Sequence, residues 1–174
     1  MAEAPPRFAA FAAARLGAAG LALRPAADSD LATIAAIYAT VREDELRQVP
    51  WTPEQKKAFT DSQSRQQESH YALHYPDAER LLIERGGATI GRIYVDTANA
   101  EVRLMEIALL TAHRNQGIGT RIVEEFLRYA DTLARPSSLH VEPFNPAKRM
   151  YERMGFTVRE TRGLYEFMVR PLPA

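Results

Sequence analysis

Apolar and polar residues change rhythm several times along this chain, and each change marks an element. Leu21 to Arg24 reads as a short strand that Pro25 ends. Asp28-Ser29-Asp30 supplies an N-cap with negative charge in the first turn, and Leu31, Ile34, Ile37, Tyr38 and Val41 recur at helical spacing, which predicts a helix to about Leu46. A second helix start lies at Thr52-Pro53-Glu54-Gln55, where Thr caps, Pro takes the first helical position and Gln stands three residues after the cap. From there to Tyr75 the chain is rich in Gln, Ser and charge, with Phe59 its main apolar residue before Tyr71. Such a stretch cannot bury a broad face, and it reads as a solvated helix or, alternatively, as a substrate-facing lid.

The rhythm then shortens. Arg80 to Glu84, the pair Gly86-Gly87, and Thr89 to Val95 predict a hairpin with a Gly-Gly turn. A third strand runs from Val102 to Leu110, and its continuous apolar end, Ile107-Ala108-Leu109-Leu110, is what a strand covered on both faces looks like. Ile118, Ile122, Val123, Phe126, Leu127, Ala130 and Leu133 form one helical stripe ending near Pro136. Leu139 and Val141 make a short strand, Asn145-Pro146 opens a short helix that Gly155 closes, and residues 156–159 and 164–169 finish as strands. The order predicts a mixed α/β (α+β) architecture with helices on both faces of one mostly antiparallel sheet.

A chain of 174 residues with 46% apolar content fits one domain. Residues 1–20 are Ala-rich with Phe8, Phe11 and Leu16 apolar, but Arg15 interrupts them and Glu3 stands where a targeting segment needs positive charge. They read as an amphipathic or frayed extension ahead of a domain spanning 21–174, and a cytoplasmic location is the simplest expectation. The 22 basic and 22 acidic residues cancel, so no net field favours nucleic acid or an anionic membrane, and any anion site must be local. Without cysteine there is no disulfide, thiolate metal site or cysteine nucleophile, and none of the four His has a metal-ligand spacing, so no metal is expected.

Between the buried third strand and the amphipathic helix lies Arg114-Asn115-Gln116-Gly117-Ile118-Gly119-Thr120. A turn in that place is an anion cradle: amides of the first helical turn are free, the helix dipole is positive there, and glycines let phosphate oxygens approach the backbone. Glycines also serve simple packing or turns, so both readings stand on the glycines alone. The sequence is neither a P-loop nor a dinucleotide fingerprint. Arg114-x-x-Gly117-x-Gly119 resembles the acetyl-CoA-binding motif of the GCN5-related N-acetyltransferases (GNAT). The stretch Asn145-Pro146-Ala147-Lys148-Arg149-Met150-Tyr151-Glu152-Arg153-Met154-Gly155-Phe156 resembles that superfamily's later motif, with an Asn-to-Tyr spacing one residue shorter than in many members. The element order from Leu21 onward agrees with the GNAT fold.

The resemblance implies acetyl-CoA as cosubstrate, its pantetheine arm lying like an added strand in a gap between two splayed parallel strands. The backbone of Ile107, Ala108, Leu109 and Leu110 would hold the arm. The amides of Asn115, Gln116, Gly117, Ile118, Gly119 and Thr120 would surround the pyrophosphate, with Arg114 and Arg121 near the phosphates or simply solvated. Asn145 would reach the pantetheine amide while also capping its helix. Tyr151 matches the tyrosine that protonates the departing thiolate, its alternative being a core aromatic, and a backbone amide near Leu109 would meet the oxyanion.

The base that accepts the amine proton is divided between two carboxylates. Strand alternation puts Glu101 with Arg103 and Met105 on one face and Glu106 with Ala108 and Leu110 on the other. Glu101 has the right face, whereas Glu106 has the right height and reaches the site only through a bulge. His140 and a water relay are further options. The acceptor region implied by the resemblance is the stretch from Glu43 to Tyr75, including Asp44, Glu45, Trp51 and Tyr71, with Tyr94 and the last hairpin near Gly163. It would take a small amine or a peptide amine. Dimers are common in the resembling family. A non-catalytic acyl-CoA sensor or interaction module on the same fold is the competing reading, and a turn binding another nucleotide is a third.

Overall fold

The computed structural model describes residues 5–174. In chain order its elements are α1 (Phe8–Gly17), β1 (Leu21–Pro25), α2 (Leu31–Arg47), α3 (Pro53–His74), β2 (Glu79–Arg85), β3 (Ala88–Asp96), β4 (Val102–Leu109), α4 (Ile118–Thr132), β5 (Ser137–Val141), α5 (Ala147–Arg153), β6 (Thr157–Arg162) and β7 (Tyr165–Arg170). The expected mixed α/β architecture is present as one seven-stranded sheet in the order β1-β2-β3-β4-β5-β7-β6. Every neighbouring pair is antiparallel except β4 with β5.

Local sequence accounts for most boundaries. Thr52 and Gln55 close a reciprocal capping box at the start of α3, with Gln55 Oε1 accepting from the Thr52 amide at 2.9 Å and Thr52 Oγ1 from the Gln55 amide at 3.2 Å. Gly86 and Gly87 both adopt positive φ (59° and 79°), as a tight hairpin turn between β2 and β3 requires. The stripe on α4 buries Ile118, Ile122, Val123, Phe126, Leu127 and Ala130 against one face of the sheet, where α1 also packs. On the opposite face α2 buries Ile34 and Ile37 against Leu82 and Ala108.

Two helices differ from expectation. Residues 8–17 are amphipathic but not frayed: Phe8, Ala12 and Leu16, spaced four apart, are all fully buried in the main core. The Glu79 carboxylate caps the start of α1, accepting from the amides of Phe8 at 2.6 Å and Ala9 at 3.1 Å. A cap supplied from β2, far along the chain, leaves no local signature. Nor is α3 simply solvated. Thr60, Ser64 and Glu68, again at four-residue spacing, are buried, so this helix docks through a narrow polar stripe that hydrophobic periodicity does not register.

The join between β4 and β5 shapes the rest of the molecule. Only Val102↔Ser137, Arg103↔Ser138 and Leu104↔Leu139 pair, after which the two strands part. Just there β4 also carries a bulge: Val95 opposes Leu104 and Tyr94 opposes Glu106, leaving Met105 as the extra residue.

Candidate active site

Two structural features frame the gap beyond Leu104. The Leu110 amide donates to the Ile90 carbonyl at 2.8 Å, on the β3 side. Because successive peptides in a strand turn to opposite edges, the amide and carbonyl of Leu109, and those of Ile107, are directed to the β5 side, where β4 has lost its partner. Arg114 reinforces this arrangement. Its Nε donates to the Leu109 carbonyl at 2.9 Å, and its Nη2 lies 3.4 Å from both the carbonyl and the hydroxyl of Thr40 on α2. The guanidinium therefore ties the end of β4 to α2.

Gly117 precedes α4 with φ 77°, and Asn115 also has positive φ (57°). Glycine adopts this left-handed region without a Cβ penalty, and Asn is among the residues that tolerate it best. A Cβ built on Gly117 would meet nothing within 4 Å, and one on Gly119 only the Leu109 side chain at 3.9 Å, so the space above the turn is open. The helix begins at Ile118, and the first amide to donate within it is that of Arg121, to the Gly117 carbonyl at 3.1 Å. The amides of Ile118, Gly119 and Thr120 thus have no intrahelical acceptor at a positive helix end beside that open space, an environment that suits an anion. Arg121 is exposed one turn along. Asn145 Oδ1 accepts from the Ala147 amide at 2.9 Å and caps α5, as expected.

On α5, Tyr151 is buried with its ring edge-on to Phe156 at 5.9 Å. Burial, and then the charge on Glu106, push its phenol well above the ordinary tyrosine range.

The bulge at Met105 resolves the two-face problem on β4. Val102 and Leu104 lie in the main core, and Ile107 and Leu109 pack against that same core three and five residues after Leu104, so the alternation shifts between them. Glu106 consequently joins Glu101 and Arg103 on the face toward α2 and α3. The two carboxylates have opposite environments. Burial opposes charge on Glu101, but Arg103 at 2.8 Å and the Ser138 hydroxyl at 2.9 Å outweigh it and hold the acid below its usual range. Burial dominates at Glu106, whose side chain is 19% exposed, and raises its pKa above the ordinary carboxylate range despite Arg92 at 3.7 Å. Gln67 Nε2 lies 3.4 Å from its other oxygen.

Sequence reasoning missed what stands behind Glu106. Arg92 is completely buried, donating to Glu68 Oε1 at 3.1 Å and to Gln67 Oε1 at 2.7 Å, while the Tyr94 hydroxyl donates to Glu68 Oε1 at 2.9 Å. Arg80 closes the cluster on Glu68 Oε2 at 3.2 Å. The available signal was Arg92 itself, a charge between Ile90 and Ile93 in an otherwise apolar strand. His140, on β5 just past the last residue paired with β4, has its pKa lowered by burial and then by Arg103 and Arg162. Among the described residues no group of three or more His, Cys, Asp or Glu is arranged to hold a metal ion, and no helix is long and apolar enough to cross a membrane.

Known proteins share this framework. Over 119 residues the chain is 31% identical to the mycothiol acetyltransferase of Corynebacterium glutamicum (strain R), a match covering 67% of this chain and 40% of that protein. The chain thus spans about two fifths of the curated relative's length. The PaiA N-acetyltransferase of Thermoplasma acidophilum, solved in complex with coenzyme A, superposes with a TM-score of 0.67 at 16% identity, covering 87% of this chain and 98% of that one. PH1933 of Pyrococcus horikoshii OT3 superposes with a TM-score of 0.70 at 15% identity, covering 88% and 99%. These likenesses establish the fold. Residues 34–156, the segment from α2 through the splayed strands to the end of the tyrosine helix, match the Acetyltransferase (GNAT) family, and with that stretch exceeding half of its length the chain belongs to that family.

Proposed function

We propose that this protein is an acetyl-CoA-dependent N-acetyltransferase that acetylates a primary amine, in a small molecule or a peptide, by direct attack on the thioester. The observation that carries the reading is the three-pair seam between β4 and β5, which leaves the Ile107 and Leu109 edge open and leads into the free amides of the glycine turn. An extended arm with amides along it and a pyrophosphate at its end matches both parts. The coenzyme A bound to the Thermoplasma protein of the same fold supports this choice.

In this reading Ile107 to Leu110 hold the arm, and Asn115 to Thr120 hold the pyrophosphate, with Arg121 and Asn145 at the margins. Glu106 is the base. An ammonium of ordinary acidity, with pKa about 10.4, must lose a proton before it attacks, and a carboxylate raised by burial is a stronger acceptor than Glu101, which its arginine holds down. The amine nitrogen then forms a bond to the thioester carbon, and the Leu109 amide stabilises the oxyanion. As the oxyanion collapses to the amide carbonyl and the carbon–sulfur bond breaks, Tyr151 gives its proton to the leaving thiolate and regains one from the amide nitrogen, which sheds its second proton directly or through water.

Arg92 acts through Glu106 as a positioning residue. It keeps the carboxylate ionisable inside the protein, and Glu68 compensates its charge. The sensor reading requires the fold without this acid-base pair, and the presence of both a largely buried carboxylate at Glu106 and a buried phenol at Tyr151 favours the enzyme. We place the activity in the cytoplasm, with a homodimer as the form consistent with the family resemblance. Calorimetric titration with acetyl-CoA, with CoA and ATP as controls, tests the reading. Micromolar binding of acetyl-CoA without binding of ATP is expected, and its absence at millimolar ligand rules out transferase and sensor alike.

A further inference from the structure

Resting on that reading, the geometry points to the acceptor's class: we propose that it is a primary amine carrying a carboxylate or a similar anionic group, seated between Arg103 and Arg162 beside His140. Ser138 pairs with Arg103 and points with it away from the main core, and His140 follows two residues later on the same face of β5. Phe167 of β7 opposes His140 in the ladder, with ring centroids 5.0 Å apart. The Arg162 guanidinium, from the end of β6, lies over the Phe167 ring at 4.0 Å and brings Nη1 to 3.3 Å from His140 Nε2. Since guanidinium nitrogens only donate, that imidazole nitrogen accepts, which requires the neutral ring.

His140 thus has one guanidinium, Arg162, at 3.3 Å and a second, Arg103, paired with Ser138 two residues back on the same face, an unusual grouping of like charges. Each has one carboxylate, and in both cases it stands two residues back on its own strand. Arg103 Nη2 donates to Glu101, while Arg162 contacts Glu160 through Nε at 3.0 Å and Nη2 at 2.9 Å. Arg103 Nε is buried and has no hydrogen-bond partner, although Tyr75 also interacts with this guanidinium, and Arg162 Nη1 has the imidazole as its partner. Stacking on Phe167 and the bond to Glu160 fix the Arg162 fork in advance, so little side-chain freedom is lost when an anion docks.

Position along the strand makes this a substrate subsite and not a remote anion site. Arg103 stands at the root of the splay, and the Met105 bulge makes Glu106 the next carboxylate on the same face. An amine at Glu106 therefore has its anionic group directed back along β4 toward Arg103, with His140 and Arg162 on the opposite wall. Polyamines, which carry only positive charge beyond the reacting nitrogen, are disfavoured by the same two arginines.

The test is a panel of α-amino acids other than cysteine, each compared with its own amide, plus spermidine, with acetyl-CoA saturating and CoA release followed by a thiol-reactive dye. The protein has no cysteine, so the dye reads released CoA alone. At least one carboxylate-bearing amine is expected to exceed its amide at least tenfold in kcat/KM. Arg162→Gln, on an exposed strand, and Arg103→Gln are each expected to raise KM for that acid tenfold with kcat nearly unchanged, bringing the acid-to-amide ratio toward one. Arg103→Lys should restore part of the ratio. Amides or spermidine turned over as well as the acids would overturn the proposal, as would turnover of no acid by protein that binds acetyl-CoA. Failure to bind acetyl-CoA is a different outcome, which removes the transferase reading itself.

Discussion

Arg114 grips the carbonyl of Leu109, the same peptide-bearing residue whose amide faces the open gap, at 2.9 Å. The first arginine of the glycine motif thus orients the strand end that, in the proposed mechanism, would receive the oxyanion. Arg114→Met is expected to lower kcat by about tenfold, within the range for a disturbed oxyanion donor, and to leave the acetyl-CoA dissociation constant within threefold. Weakened binding at unchanged kcat would instead put the guanidinium at the phosphates.

Glu106→Gln tests the base. Proton transfer by a positioned side chain contributes about 10²–10⁴-fold, so kcat should fall by that order while acetyl-CoA still binds. The pH profile carries the sign. Burial raises the Glu106 acid, and only its carboxylate accepts a proton, so kcat/KM should climb with pH through a midpoint above the ordinary glutamate value of about 4.3. The variant should lose that limb. Retention of the limb in Glu106→Gln would assign it elsewhere.

For Tyr151→Phe, CoA release should drop by about 10–10²-fold with binding intact, since a thiolate of conjugate pKa about 8.5 needs only moderate help in leaving. The phenol's raised pKa keeps Tyr151 protonated throughout the neutral range. No alkaline loss of activity near pH 8 should therefore trace to this residue, and comparison of the two profiles checks it.

Gly91 faces the strand that bears the site. A Cβ there would stand 2.3 Å from the Ala108 carbonyl oxygen, which is backbone and cannot swing away. Gly91→Ala must push β4 aside, at a cost of about 1–3 kcal/mol as in overpacked cores, and should impair kcat together with thermal stability. Chemical denaturation and turnover of the same sample decide it.

Leu16→Ala measures how firmly α1 belongs to the domain. The side chain is wholly buried, so its truncation should cost about 2–5 kcal/mol of unfolding free energy. A loss below about 0.5 kcal/mol, typical of surface positions, would make the segment dispensable.

Sequence made most of the fold legible because its signals are local: the Thr52–Gln55 capping box, the Gly86-Gly87 turn and the α4 stripe each declare themselves within a few residues. What it concealed depends on partners distant in sequence. The Glu79 cap on α1 joins residues some seventy positions apart, and Glu68 reads as surface charge until Arg92, Tyr94 and Arg80 surround it. The glycine turn and the tyrosine helix stood out in the chain, whereas the face of Glu106 did not. Strict alternation separates it from Glu101, and only the opposing register of β3 shows that Met105 is the odd residue.

The three-rung seam has a mechanical meaning as well. A sheet joined so briefly at its middle is two plates on a hinge, one of β1 to β4 and the other of β5 to β7, and the plates diverge where the ladder stops. A molecule bridging that divergence with strand-like hydrogen bonds works as a brace, and its affinity is then partly a rigidity of the protein itself. Occupied and empty forms should differ less in shape than in stiffness, with the cellular level of the cosubstrate setting how long the hinge stays locked.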